Sequence, residues 1–142
     1  MANDLGTRFK RIDSALAQRA NSALECTGLT ISQFSVLMAL SEERNCTLEL
    51  RELERRLHVS HPTTTGLVKR LEAKGIVSIS VSANDARKKI VSMTDQGKNL
   101  LKTGEEGRKK AERTITKNLN DEEQATLCSL LDRIIENLDQ GI

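Results

Sequence analysis

The sequence predicts a mainly α-helical fold carrying one small β-hairpin. Three observations predict it. Helix-forming residues dominate, and the only proline is Pro62. Apolar residues recur at helical spacing through most of the chain. Only between Val77 and Met93 does the period change to two, on either side of a basic loop.

Leu5, Phe9, Ile12, Leu16, Ala20 and Ala23 define an amphipathic first helix, stopped by Gly28 after Thr27. Thr30 and Gln33 form a capping box that starts a second helix, with Leu29 and Phe34 placed as a hydrophobic staple. Phe34, Leu37, Met38 and Ser41 form its buried face. Cys46-Thr47-Leu48 allows a brief extended segment. The third helix turns Leu50, Leu53 and Leu57 inward, and His58-Val59-Ser60 makes a tight turn. Ser60 caps the fourth helix, and Pro62 falls in its first turn, where a missing N–H does little harm. Thr64, Leu67, Val68 and Leu71 face the core, and Lys74-Gly75 ends the helix.

Val77, Ile79 and Val81 alternate with serines, and Val91 and Met93 repeat the pattern after the tip Ala83–Lys89. Thr94 caps a long polar helix running from about Asp95 toward Leu119. Leu100, Leu101, Ala111 and Ile115 are its sparse anchors, and Gly104 and Gly107 are expected to bend or weaken it. Asn120 and Glu123 form another capping pair. The last helix carries a wide stripe of Leu127, Leu131, Ile134 and Leu138, flanked by Leu130 and Ile135. A partner subunit is the natural cover for so much apolar surface. Packing of the two terminal helices on each other within one chain is the other arrangement open to them.

Composition removes several functions. The 142 residues suit one domain, and Phe9 and Phe34 are the only aromatics, too few for a base-stacking platform. No apolar run approaches the ~20 residues of a membrane helix, and the N-terminus lacks a signal core, so a cytoplasmic protein without membrane contact is expected. Cys26, Cys46 and Cys128 lie far apart with no CxxC, which reads as small buried hydrophobes rather than a metal or disulfide framework. No metal site, cofactor or catalytic constellation is expected. Charge is uneven. Residues 51–90 hold nine Lys or Arg against four Asp or Glu, while the rest holds thirteen against sixteen. Such a basic centre fits a polyanion, although a solvated surface can cluster in the same way.

The resemblance follows from these residues. Leu53 through Val59, the capped helix 60–74, the exit Leu71-Glu72-Ala73-Lys74-Gly75-Ile76-Val77, the Asp85-x-Arg87 loop and Met93-Thr94-x-x-Gly97 resemble the MarR-type (multiple-antibiotic-resistance regulator) family over nearly the whole chain. The Asp-x-Arg loop combined with the Leu-Glu-x-Lys-Gly exit carries most of the likeness. It implies a winged helix-turn-helix flanked by N- and C-terminal dimerisation helices. Residues 47–94 would be the DNA-binding lobe of this single MarR-like domain, 1–142, and residues 5–27 and 97–140 the helical dimerisation lobe. It further implies a homodimer on a pseudo-palindromic operator in double-stranded DNA, acting as a repressor relieved by a small-molecule effector or by oxidation.

With helix 60–74 in the major groove, the side free of core residues offers Ser60, His61, Pro62, Thr63, Thr65, Gly66, Lys69 and Arg70. Thr63 and Thr65 suit phosphates or base edges, Lys69 and Arg70 suit phosphates, and the N–H groups at Ser60-His61 favour phosphate. His58 and His61 are expected at phosphates or on plain surface. At the wing, residues 82–89, Arg87 enters the minor groove, Asp85 orients it, and Lys88 and Lys89 hold the backbone. Gly66 stands where the family often has a long polar or basic residue, so specificity is expected to lean on DNA shape and the wing. Peroxide-sensing members carry a cysteine early in the first helix. Cys26 lies near its end, so that role is not carried over. The sensory cleft would be aliphatic. The competing function is a winged-helix protein-interaction module that does not bind DNA.

Overall fold

Side-chain caps set most helix boundaries in the computed structural model, which describes residues 4–141. The first helix, α1 (Leu5–Leu24), starts at Asp4, whose carboxylate accepts from the Thr7 N–H at 3.1 Å. A short 3₁₀ turn, Glu25–Thr27, leads to Gly28 at φ 71°. The capping box of α2 (Ile31–Ser41) is complete: the Thr30 hydroxyl accepts from the Gln33 N–H and the Gln33 side chain from the Thr30 N–H, both at 3.1 Å. A three-residue strand, β1 (Thr47–Glu49), precedes α3 (Leu50–Leu57), which His58 ends in the left-handed region at φ 54°. Ser60 caps α4 (His61–Ala73). Strands β2 (Val77–Val81) and β3 (Lys89–Met93) form the hairpin, followed by α5 (Asp95–Ile115) and α6 (Asp121–Gln140). The Asn120–Glu123 capping box is also complete.

The sheet is larger than the sequence indicated. All three strands join it antiparallel in the order β1-β3-β2, with Leu48 opposite Val91 and Val77 opposite Met93. The segment read only as briefly extended is thus an edge strand, tied across by the Thr47 and Ser92 hydroxyls at 3.0 Å. Val36, Leu37 and Leu40 of α2, Leu53 of α3, Thr64, Val68 and Leu71 of α4, and Val77 and Val91 of the sheet are fully buried together. The predicted inward face of α4 is therefore the buried one. The Thr64 hydroxyl, sealed in this core, donates to the Ser60 carbonyl at 3.0 Å.

Several expectations need correction. α5 runs unbroken through Gly104 and Gly107. They are close-approach positions: a Cβ at Gly104 would lie 2.3 Å from the Phe34 ring, and one at Gly107 2.9 Å from the Ala23 Cβ. The helix stops at Ile115, four residues short, in a turn through Asn118 at φ 68°. Ser41 is exposed, its hydroxyl bound back to the Met38 carbonyl at 2.6 Å. Cys26 and Cys128 are exposed and Cys46 half-buried, so none is a fully buried hydrophobe.

The described chain divides within α5 into two compact units, one reaching Arg108 and the other starting at Lys109. In the first, α1 leaves Leu5, Phe9 and Ile12 exposed and buries only Leu24 fully. In the second, α6 buries no residue fully and exposes Leu127, Leu130, Ile135 and Leu138. Among the described residues no single helix is long and apolar enough to cross a membrane.

Candidate nucleic-acid interface

α4 and the β2–β3 tip converge on one open cleft of about 790 Å³. His61 and Thr65 line it from α4, Asp85, Arg87, Lys88 and Lys89 from the hairpin, and Glu49, Arg51 and Glu54 from β1 and α3. Pro62, Thr63, Lys69 and Arg70 are exposed on α4. The Ser60 hydroxyl is engaged locally: it accepts from the Thr63 N–H at 3.4 Å and donates to the Thr63 Oγ1 at 2.9 Å.

Two residues expected on the open face of α4 are only partly open. Thr65 and Gly66 are half-buried, and the Thr65 Oγ1 is fully enclosed without a hydrogen-bond partner. Ile79, Lys89 and Val91 of the sheet line a small crevice with Thr65, Val68 and Lys69, which the helical spacing of α4 alone does not reveal. In this conformation the Thr65 hydroxyl is not presented to a ligand.

The hairpin tip is built by its own acid. The Asp85 carboxylate accepts from the Arg87 backbone N–H at 2.9 Å, from its Nε at 3.2 Å and from its Nη2 at 3.4 Å. These bonds, the backbone one foremost, with Lys88 nearby, hold the Asp85 carboxyl below the usual carboxylate range. The Lys88 N–H closes on the Asp85 carbonyl at 3.0 Å and the Ser82 N–H on the Lys88 carbonyl at 2.9 Å. Arg87 is fixed at its root, while its side chain remains 91% exposed.

Each acid in the cleft has a side-chain partner. Glu49 faces the Lys88 ammonium at 3.8 Å, Asp85 holds Arg87, and Glu54 holds the His61 ring. Among the described residues Arg51, Lys69, Arg70 and Lys89 carry no ion pair. α4, the hairpin and the start of α3 thus each present cations without an acidic partner. This pattern suits a polyanion that spans the cleft.

A second cluster lies away from the cleft. Arg56 of α3 reaches Glu42 at 3.4 Å and also binds Glu43 and Glu52, joining the end of α2 to α3. Hydrogen bonds from Arg55 first, then Arg56, push the Glu52 carboxyl from its ordinary 4.5 down to about 2. His58 is exposed, and no group of three or more metal-ligating side chains occurs among the described residues.

Sequence reasoning overlooked Arg51, Glu49 and Glu54. A signal existed: the Leu50-Leu53-Leu57 stripe of α3 leaves Arg51 outside the apolar face, with Glu54 at its flank. What the stripe could not reveal is that the turn at His58 folds α4 back until His61 meets Glu54.

The sequence model of the MarR family matches residues 27–88. Among curated proteins, the transcriptional activatory protein BadR of Rhodopseudomonas palustris is 34% identical over 101 residues, 70% of this chain and 58% of that protein. The uncharacterized HTH-type transcriptional regulator YfiV of Bacillus subtilis is 32% identical over 112 residues, 77% of this chain and 69% of its own length. Among solved structures, a mutant MarR of Escherichia coli complexed with operator DNA superposes with a TM-score of 0.79 at 27% identity, covering 92% of each chain.

Proposed function

The chain belongs to the MarR family, and on that premise we propose that it is a transcriptional regulator that binds double-stranded DNA as a homodimer. In this reading α4 lies in the major groove and the 82–89 wing in the adjacent minor groove. Thr63 approaches base edges, Lys69, Arg70, Lys88 and Lys89 bind phosphates, and Arg87 enters the minor groove. The missed Arg51 joins the phosphate contacts. The observation that carries the reading is the charge arrangement at the cleft: Glu49 and Asp85 face Lys88 and Arg87, Glu54 is engaged by the His61 ring, and Arg51 and Lys89 line it without an ion pair among the described residues.

A homodimer is supported by the apolar side chains that α1 and α6 each leave exposed. On a two-fold site it would place two copies of α4 one DNA turn apart, ~34 Å. Repression in the cytoplasm, relieved by a small effector, completes the proposal. The relatives' names include both an activator and repressors, so the direction of control needs its own measurement.

The test is footprinting on DNA upstream of the protein's own coding region, with binding measured against salt. Protection of a two-fold site and an affinity falling steeply with salt are expected, because each neutralised phosphate releases a counterion. Flat salt dependence, or capture of a protein partner with no duplex binding, would instead favour an interaction module.

A further inference from the structure

Glu54 occupies an unusual position for an acid. It sits on α3 beside the cleft, its side chain only 19% exposed, and its carboxylate Oε1 meets the Nδ1 of His61 at the first turn of α4. No other hydrogen bond or ion pair engages Glu54 among the described residues. The His61 side chain is 67% exposed and lines the cleft, and its second nitrogen, Nε2, has no hydrogen-bond partner among the described residues. The remaining charges around the cleft are Glu49, Arg51, Asp85, Arg87, Lys88 and Lys89.

A carboxylate can only accept hydrogen bonds, so the ring nitrogen facing it must carry the proton. The neutral ring is then held in its Nδ1–H form, and Nε2 presents a lone pair outward. Phosphate oxygens and the major-groove edge of guanine offer only acceptors, which such a nitrogen cannot bind. The outward donors in the major groove are the amino groups of adenine and cytosine. We propose that Glu54 is a positioning residue that fixes His61 as an acceptor, so that His61 reads an adenine or cytosine amino group rather than a phosphate. The inference rests on the DNA-binding reading and adds to it a specificity determinant and the chemistry it selects. It also replaces the phosphate contact expected of this histidine from sequence.

Two measurements on the full chain test the two halves separately. The first needs no DNA. Two-bond ¹H–¹⁵N correlation of the imidazoles, recorded across pH, reports which nitrogens are protonated. The protein has two histidines, and a His58→Asn variant assigns them. The His61 ring should show a protonated Nδ1 and a bare Nε2, and Glu54→Ala should shift it toward the Nε2–H form while His58 is unchanged. A His61 ring already in the Nε2–H form, or a tautomer indifferent to Glu54→Ala, overturns the assignment.

The second measurement is affinity for a footprinted duplex with each base pair replaced in turn. One position per half-site should prefer adenine or cytosine by on the order of fivefold, and His61→Ala should abolish that preference. Glu54→Ala should weaken it likewise while keeping or raising affinity for random duplex, because a carboxylate has left a polyanion-binding face. A preference untouched by both variants overturns the reader role. Absence of binding to any duplex overturns the functional reading and the reader role with it, whatever the ring spectrum shows.

Discussion

Arg87 and Glu52 show how two exposed acid–guanidinium contacts can have different consequences. Asp85 holds Arg87 by its backbone and its side chain at once, but the side chain stays almost wholly in solvent. An exposed pair of this kind contributes little to stability. Arg87→Ala should therefore change the unfolding free energy by no more than about 0.5 kcal/mol. It should weaken duplex binding about tenfold to a hundredfold, the loss of charge-assisted hydrogen bonds worth roughly 1.5–3 kcal/mol. Thermal melts and a binding isotherm on the same preparation separate the two effects. Glu52 acts on the fold instead. Its carboxyl is depressed to about 2 by Arg55 and Arg56. A depressed folded-state value means that the contribution is complete above the ordinary 4.5 and is lost as pH falls toward about 2. The melting temperature of the wild type should exceed that of Glu52→Gln at neutral pH. The gap should close progressively below pH 4.5, and added salt should narrow it throughout. A gap that persists at the acid end would assign the benefit to packing rather than charge.

At the scale of elements, glycine has opposite meanings in two helices of this chain. Gly66 in α4 has open space where a Cβ would stand, with nothing within 4 Å. Alanine there should stabilise by about 0.5–1 kcal/mol, the ordinary difference in helix cost. Gly97 in the first turn of α5 is the reverse: a Cβ would lie 2.4 Å from the Ile76 carbonyl oxygen and 2.8 Å from Met93 Cγ. The backbone obstacle cannot swing aside, so Gly97→Ala should destabilise by roughly 1–3 kcal/mol as overpacking does. Chemical denaturation of the two variants side by side is the check, and equal signs would refute the contrast. This accounts for the Met93-Thr94-x-x-Gly97 run. The Thr94 hydroxyl lies 2.7 Å from the Gly75 carbonyl and accepts from the Gly97 N–H at 3.2 Å, so α5 starts pressed against the exit of α4. Features of this kind divide what sequence can disclose. Capping boxes at Thr30 and Asn120 and the buried face of α4 were legible, because their partners lie within seven residues. The pairing of β1 with β3 joins residues 45 apart, and the Arg56–Glu43 link spans 13. Distance along the chain hides such contacts. A glycine in a helix looks like a weakness until its neighbour is known, as at Gly104, where a Cβ would meet the Phe34 ring. Glu54 was missed although it lies only seven residues from His61, because the left-handed turn at His58 stands between them and helical spacing does not carry across it.

For the whole molecule, the deciding quantity is the apolar surface still open when one chain has folded. Leu127, Leu130, Ile135 and Leu138 on α6 are 43–67% exposed, and Leu5, Phe9 and Ile12 on α1 are 39–54% exposed. Side chains of this size each gain roughly 1.5–3 kcal/mol when removed from water, so leaving a row of them open on two helices is a large unused driving force. A second copy of the chain brings the same rows. A two-fold pairing lets them cover each other without a foreign partner. The pairing matters for the proposed DNA binding because one α4 and one wing would engage only a half-site. Joining two copies makes the second engagement intramolecular and multiplies affinity by 10²–10⁴ when the spacing matches. Leu130→Glu combined with Leu138→Glu should therefore have two linked effects. Sedimentation should show a subunit of 15.8 kDa in place of a dimer. Affinity for the full two-fold site should fall to that for an isolated half-site, on the order of a hundredfold or more. Residues 4–108 should keep their melting behaviour in this variant, since neither leucine belongs to their core. A wild type that sediments as single subunits at micromolar concentration, yet protects a symmetric footprint, would reverse the order of events and make the DNA the scaffold on which the two copies meet.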